Sequence, residues 1–351
     1  MSTRSITRGD SAGWLRDLVR PLPRSANARR LNAPQRERTD LAVARGAGPA
    51  DNQPDFLIIG AQRGSSTWLN AAFRAHPEIY TSRFEVQFFE DPYYDGDASL
   101  LDEFAAEADG RVWGFKRPEL LARPECPARM AAHAPDAKLL AILREPIART
   151  VSCYYLFVKT LYLPHLPLNE GLRNLLEGRN VDRYPWGQEV LTASDYATSL
   201  RRHLEYYDRD ALFVRLDDDV RNDAGAVLHD AYEFVGVDPD FRPAAMERKS
   251  NPGVYRRSRM SFHRTAARAM YYRDPSSSHM LARMNPFSVA VVRAAHLTDR
   301  AVLQRFAADR PEPLAPDVRA ALVERFRSEI DDLENLLDRP LDTWRKAQTK
   351  P

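Results

Sequence analysis

A short loop near the start of the folded part of the chain carries the side chains best suited to binding an anion. It combines two glycines, one arginine and three consecutive hydroxyl residues, and reads Gly60, Ala61, Gln62, Arg63, Gly64, Ser65, Ser66, Thr67. Glycine lets the backbone approach a ligand closely, and a guanidinium offers paired donors to phosphate oxygens. The residue types therefore predict a site for a phosphate-like group.

The segments on either side of this loop predict how it is held. Residues 56–59 form an apolar run rich in β-branched side chains, which is typical of a buried strand, and the residues from Thr67 onward have helical spacing. A helix that begins directly after the loop points its unpaired N–H groups and the positive end of its dipole at the bound anion. We expect a strand, a tight turn and a helix.

Residues that the loop lacks restrict which anion it can be expected to bind. Nucleotide triphosphatases use Gly, four residues, then Gly-Lys-Ser/Thr, whereas Gly60 and Gly64 are separated by three residues and no lysine follows. The loop instead resembles the 5′-phosphosulfate loop of sulfotransferases that use 3′-phosphoadenosine 5′-phosphosulfate (PAPS). The resemblance implies a set of nucleotide-binding residues in this loop: Arg63, Gly64, Ser65, Ser66, Thr67 and Trp68. It also implies that the positive charge of Arg63 stabilises the leaving group.

A second anion site is predicted after the apolar strand at residues 137–143. Arg144 lies at the carboxyl end of that strand, Pro146 suits the first turn of a helix, and Arg149 and Ser152 then share one helical face. The segment resembles the sulfotransferase 3′-phosphate motif, Arg-Asp/Glu-Pro-x-x-Arg-x-x-Ser, at every fixed position. The resemblance implies that Arg144 and Ser152 bind the 3′-phosphate, and we expect Arg149 to brace the motif.

Two further segments resemble sulfotransferase active-site elements. Glu85 and the pair Phe88-Phe89 match the Lys-Glu-x-x-Phe-Phe segment of carbohydrate and heparan-type enzymes, which implies that Glu85 is the general base; Phe84 stands where lysine is usual. Lys116 matches the lysine of a Gly-x-Lys-x-Pro segment, which implies contact with the sulfonate or the acceptor.

Length, net charge and cysteine count exclude several classes of protein. The 351 residues can bury one sizeable core, and the net charge of +2 does not indicate a nucleic-acid partner. Cys126 and Cys153, the two cysteines, match neither a disulfide framework nor a metal site, and no apolar stretch is long enough to span a membrane. These features favour a cytoplasmic protein without a metal, and the preference for Arg over Lys favours a bacterial genome.

The predicted organisation is a single α/β domain. We expect a P-loop-like, doubly wound parallel sheet flanked by helices, with a helical region on the acceptor side, over residues 54–346. Residues 1–50 are predicted to be a disordered basic arm, and residues 253–300 a basic and aromatic insertion; both have features compatible with peripheral membrane contact. A cationic loop resembles the family's 3′-phosphate loop, which implies nucleotide contacts from Lys249, Arg256 and Arg257.

Together these segments predict a PAPS-dependent sulfotransferase. It would transfer a sulfonate group to a hydroxyl or amine of a carbohydrate, glycolipid or small-molecule acceptor and release 3′,5′-ADP. Two alternatives stay open at this point: a P-loop nucleotide kinase or other phosphotransferase, and a non-catalytic nucleotide- or glycan-binding protein with the same fold. The sequence does not indicate the acceptor or the oligomeric state.

Overall fold

The computed structural model describes residues 52–82, 85–91, 93–179, 182–244, 254–273, 280–282, 285–303 and 310–349. The predicted basic arm at residues 1–50, together with Arg83, Phe84 and Lys249, lies outside the described residues. Within the described residues no helix is both long and apolar enough to cross a bilayer.

A parallel sheet of five strands forms the centre of the described fold. The strands are β1 (Phe56–Gly60), β2 (Ile79–Thr81), β3 (Val112–Lys116), β4 (Lys138–Leu143) and β5 (Leu212–Leu216). They are arranged in the order β2-β3-β1-β4-β5, and every neighbouring pair is parallel. The carboxyl ends of β3, β1 and β4 therefore lie side by side at one edge of the sheet.

Helices connect and cover the strands. In chain order they are α1 (Ser66–Ala75), α2 (Ser99–Ala108), α3 (Cys126–His133), α4 (Pro146–Lys159), α5 (Leu168–Leu176), α6 (Glu189–Thr192), α7 (Tyr196–Leu204), α8 (Asp217–Asn222), α9 (Ala224–Val235), α10 (Arg257–Met270), α11 (Pro286–Ala301), α12 (Pro316–Leu337) and α13 (Asp342–Thr349). A short 3₁₀ turn (Arg209–Ala211) precedes β5, and the antiparallel pair β6 (Tyr271–Arg273) and β7 (Met280–Ala282) follows α10.

Successive side chains of the central strands point to opposite faces of the sheet and belong to two hydrophobic cores. Phe56 and Ile58 of β1 pack in a cluster with α1 and α9, whereas Leu57 and Ile59 pack in a larger cluster on the opposite face. All four side chains are fully buried, because a strand in the middle of a parallel sheet is covered on both sides. This arrangement confirms the predicted doubly wound α/β fold.

The long helix α12 forms a further layer outside the sheet. Its buried stripe includes Leu322, Phe326 and Ile330, which recur at helical spacing, and it packs on α4, α5 and α7. Those helices already cover that face of the sheet, so the apolar stripe of α12 is buried against them. Trp344 is buried beside Tyr196 of α7, with ring centroids 6.0 Å apart.

Candidate active site

The loop between β1 and α1 forms the first part of the site. The N–H of Gly64 donates to the carbonyl of Ala61 at 2.9 Å, and the N–H of Trp68 donates to the carbonyl of Ser65 at 3.0 Å. The N–H groups of Ser66 and Thr67 have no hydrogen-bond partner among the described residues. Two donors at the start of a ten-residue helix thus remain available to an anion.

Trp68 and Ser65 have structural roles in addition to their position in the loop. The Trp68 indole packs against the core cluster on the α1 side of the sheet, and the backbone N–H of Trp68 donates to the carbonyl of Ser65 within the first helical turn. Contact of Trp68 with the nucleotide stays a prediction. Ser65 has a left-handed backbone, and its hydroxyl donates to the buried carboxylate of Asp217.

Gly64 is needed because the loop passes close to strand β4. A Cβ atom at this position would lie 2.3 Å from the backbone carbonyl oxygen of Ile142. A backbone atom cannot relieve this clash by changing rotamer. We expect Gly64→Ala to displace the loop, to destabilise the fold by ~1–3 kcal/mol and to abolish the thermal stabilisation given by 3′,5′-ADP. Thermal denaturation with and without the nucleotide measures both effects.

Gly171→Ala is a matched control for this variant. Gly171 lies on α5, outside the loop. A Cβ atom at this position would lie 2.1 Å from the hydroxyl oxygen of Tyr154. It should lower the melting temperature but keep the shift induced by 3′,5′-ADP. A nucleotide-induced shift of wild-type size in Gly64→Ala would contradict the placement of the ligand in this loop.

The second part of the site lies at the end of β4 and the start of α4. The carboxylate of Glu145 accepts hydrogen bonds from the N–H groups of Ile147 (3.0 Å) and Ala148 (2.6 Å), so it caps α4 just ahead of Pro146. This cap fixes the chain direction after the strand. Arg144 is thereby held at the strand end, and Ser152 lies on the helix that follows.

The two parts meet through Arg63. Its Nε donates to the hydroxyl oxygen of Ser152 at 2.8 Å, and its carbonyl oxygen accepts from Arg144 at 3.4 Å. The Nε of Arg144 is buried and has no hydrogen-bond partner among the described residues, and burial lowers the pKa of this side chain. A half-buried guanidinium with an unused, buried donor is suited to an anionic ligand.

Arg149 does not belong to this anion site. Its side chain is fully buried, its Nε donates to the hydroxyl of Ser194, and a terminal nitrogen donates to the carbonyl of Val190. These contacts tie α4 to α6 and to the loop before α7, as expected of a bracing residue.

Lys116 joins the loop to Glu85. Its Nζ lies 3.2 Å from the hydroxyl of Thr67 and forms an ion pair with Oε1 of Glu85. The Glu85 side chain is 41% exposed, so an acceptor molecule can reach it from solvent. Loss of solvent raises the pKa of Glu85, but the charges of Lys116 and Arg117 outweigh this and lower the pKa overall. The carboxylate is therefore ionised at neutral pH and able to accept a proton.

The remaining predicted contacts lie on the insertion. Arg256 and Arg257 are exposed at the amino end of α10, which is joined to α4 by a contact between the rings of Tyr255 and Tyr155 at 4.9 Å. This places their helix beside α4, and contact with a 3′-phosphate stays a prediction.

Two cations near the site are missed by the sequence analysis. Arg117 follows Lys116 at the end of β3 and donates to Oε2 of Glu85 at 3.1 Å. Lys159 lies seven residues after Ser152, which places both on one face of α4. Burial and the neighbouring charge of Arg63 lower the pKa of Lys159 to about 8. In the sequence, Lys159 could have been found from its seven-residue spacing from Ser152, and Arg117 from its position directly after Lys116.

Known proteins resemble this chain over about half of its length. No family model matches it. It is 30% identical over 189 residues to human heparan sulfate glucosamine 3-O-sulfotransferase 3B1, which covers 52% of this chain and 46% of that protein. It is 26% identical over 205 residues to human bifunctional heparan sulfate N-deacetylase/N-sulfotransferase 2, covering 54% of this chain and 22% of that protein. The chain is a relative of the sulfotransferases.

A solved structure agrees with this relationship at the level of the fold. The crystal structure of a sulfotransferase from Alicyclobacillus acidocaldarius has a TM-score of 0.58 and 21% identity, and the match covers 84% of this chain and 99% of that one. The parallel sheet and its flanking helices are thus those of a sulfotransferase fold. The chain spans less than half the length of the two human sulfotransferases.

Proposed function

We propose that this sulfotransferase relative moves a sulfonate group from PAPS to a hydroxyl or amine of an acceptor and releases 3′,5′-ADP. The observation that carries the proposal is the position of Lys116, whose Nζ contacts both Thr67 in the first turn of α1 and the carboxylate of Glu85. A predicted general base thus lies next to a predicted phosphosulfate loop.

The residues present suit a nucleotide with phosphate groups at both ends. One end is supported by the N–H groups of Ser66 and Thr67, and the other by Ser152 and the unused Nε of Arg144. Arg63 reaches from the loop to Ser152, so a single ligand can contact both groups of donors. Arg256, Arg257 and Lys249 are proposed as additional cations for the 3′-phosphate.

PAPS supplies an activated sulfonate whose leaving group is 3′,5′-ADP. Glu85 takes the proton of the acceptor hydroxyl or amine as its oxygen or nitrogen bonds to sulfur. The bond from sulfur to the bridging oxygen breaks, and the electron pair stays on the departing phosphate. Arg63, Lys116 and the helix N–H groups stabilise the charge that develops on the sulfonate and the leaving oxygen.

A carbohydrate is the acceptor class that we propose. Support comes from the relatives, which are named for action on heparan sulfate. We also propose a cytoplasmic location, which rests on a cysteine content too low for a disulfide framework.

Transfer of labelled sulfonate from PAPS tests the proposal directly. The protein is incubated with heparan-type oligosaccharides and with a host-cell extract, and products are examined by mass spectrometry for the mass of one added sulfonate. Stabilisation by 3′,5′-ADP but not by ATP with Mg²⁺ is also expected. Stabilisation by ATP with Mg²⁺ alone would support the kinase alternative, and nucleotide binding without transfer would support a non-catalytic protein.

A further inference from the structure

A fully buried carboxylate shares an arginine partner with Glu85, the predicted base. Glu90 has no exposed surface, and Arg117 binds it through two nitrogens: Nε donates to Oε2 at 2.8 Å, and NH2 donates to Oε1. A nitrogen of Arg123 lies 3.6 Å from the same Oε1. A carboxylate gripped in this way fixes the plane of the Arg117 guanidinium.

The third nitrogen of Arg117 points to the predicted base. NH1 donates to Oε2 of Glu85 at 3.1 Å, while Lys116 holds Oε1. Arg117 is 7% exposed, whereas the Glu85 side chain is 41% exposed. The guanidinium therefore connects a rigid buried group to a carboxylate that is otherwise held by the single ammonium group of Lys116.

We infer that Arg117 is a positioning residue for sulfonate transfer: anchored by Glu90, it holds the carboxylate of Glu85 in the orientation that receives the acceptor proton. This inference rests on the proposed function, in which Glu85 is the base. A lysine cannot replace Arg117 here, because one ammonium lacks the planar fork needed to bind both carboxylates at once.

The electrostatic surroundings of Glu85 determine the sign of the expected pH effect. The charged and titratable groups that act on it are Lys116 and Arg117 at the end of β3, Glu119 just beyond them, and Tyr271 from β6. Lys116 and Arg117 favour the ionised carboxylate, and Glu119 opposes it. Removing the charge of Arg117 therefore raises the pKa of Glu85, so the base becomes protonated at a higher pH.

Two variants separate orientation from charge. Arg117→Lys keeps a positive charge but loses the bidentate grip on Glu90; we expect turnover to fall about 10²-fold, with an unchanged stabilisation by 3′,5′-ADP. The double variant Arg117→Met with Glu90→Gln removes both charges of the buried pair. We expect its turnover to fall similarly, and the acidic limb of its pH profile to move up by about one pH unit.

Arg123→Lys is the matched control. Arg123 is also 7% exposed and also approaches Glu90, but its other ion pair is with Glu189 at 3.2 Å, and the structure records no contact with Glu85 among the described residues. Arg123→Lys should lower the melting temperature and leave the acidic limb of the pH profile at its wild-type pH. A purely structural role for Arg117 would give the same pattern as Arg123→Lys.

The outcomes distinguish this inference from the proposed function. If the wild-type protein transfers sulfonate and Arg117→Lys retains its turnover, the positioning role is wrong while the function stands. An unmoved acidic limb in the double variant, or a parallel loss of 3′,5′-ADP binding, also overturns the positioning role. If neither the wild-type protein nor Arg123→Lys transfers sulfonate to any acceptor tested, the proposed function fails and this inference fails with it.

Discussion

Replacing Glu85 by glutamine is expected to lower the rate of sulfonate transfer by ~10²–10⁴-fold, the range typical of losing a general base. The amide keeps the size of the side chain and an oxygen that can accept from Lys116 or Arg117, but it cannot take up the acceptor proton. Single-turnover measurements with labelled PAPS provide the rate.

The same variant should leave nucleotide binding largely intact. Among the described residues Glu85 approaches the loop through Lys116 alone, so stabilisation by 3′,5′-ADP should be close to that of the wild type. Because the pKa of Glu85 is lowered, the wild-type acidic limb should lie below the pKa of an ordinary glutamate, and Glu85→Gln should lack that limb. Glu107→Gln is the control, since this carboxylate pairs with Tyr80 in an exposed position. Retention of more than a tenth of the wild-type rate in Glu85→Gln would rule out the role of base.

Arg63→Ala is expected to have the second-largest effect, a fall in turnover of ~10²–10³-fold. The leaving phosphate gains negative charge as the bond to sulfur breaks, so the guanidinium interacts more strongly with the transition state than with the bound nucleotide. Affinity for 3′,5′-ADP should fall less than turnover does. Ser152, Arg144 and the N–H groups of Ser66 and Thr67 still support the ligand.

Turnover measured beside calorimetric titration with 3′,5′-ADP tests this asymmetry. Arg63→Lys should recover part of the lost turnover, since a positive charge returns to the loop. Arg74→Ala, an exposed position at the far end of α1, is the control. Equal losses in turnover and in nucleotide affinity for Arg63→Ala would show that Arg63 contributes to binding alone.

Local sequence patterns predict most of the sheet and of the nucleotide side of the site. The β4 strand, the proline at the first turn of α4 and the apolar stripe of α12 each have a periodicity or a helix-start signal that the structure reproduces. The contact between Arg63 and Ser152 was less accessible, because it joins residues 89 positions apart. It follows once both loops are placed at the carboxyl ends of neighbouring parallel strands.

The acceptor side depends on long-range pairing that local patterns do not encode. Lys116 and Arg117 look alike in sequence as two cations after a strand, yet their partners differ: Lys116 contacts Thr67, and Arg117 grips Glu90. Glu90 follows Phe88 and Phe89 and precedes Asp91, and this local pattern does not mark it as a buried acid. Its complete burial arises only when the chain after β2 folds over the end of β3.

The buried charges around Glu90 also constrain how this protein can evolve. Glu90 lies between Arg117 and Arg123, so losing Glu90 leaves two guanidiniums near each other in the interior without the buried carboxylate between them, at a penalty of about 3–5 kcal/mol. That is a large share of the 5–15 kcal/mol by which a typical domain is stable. Substitutions at these three positions should therefore be strongly epistatic. Mutant libraries aimed at a new acceptor should vary them jointly or leave them fixed.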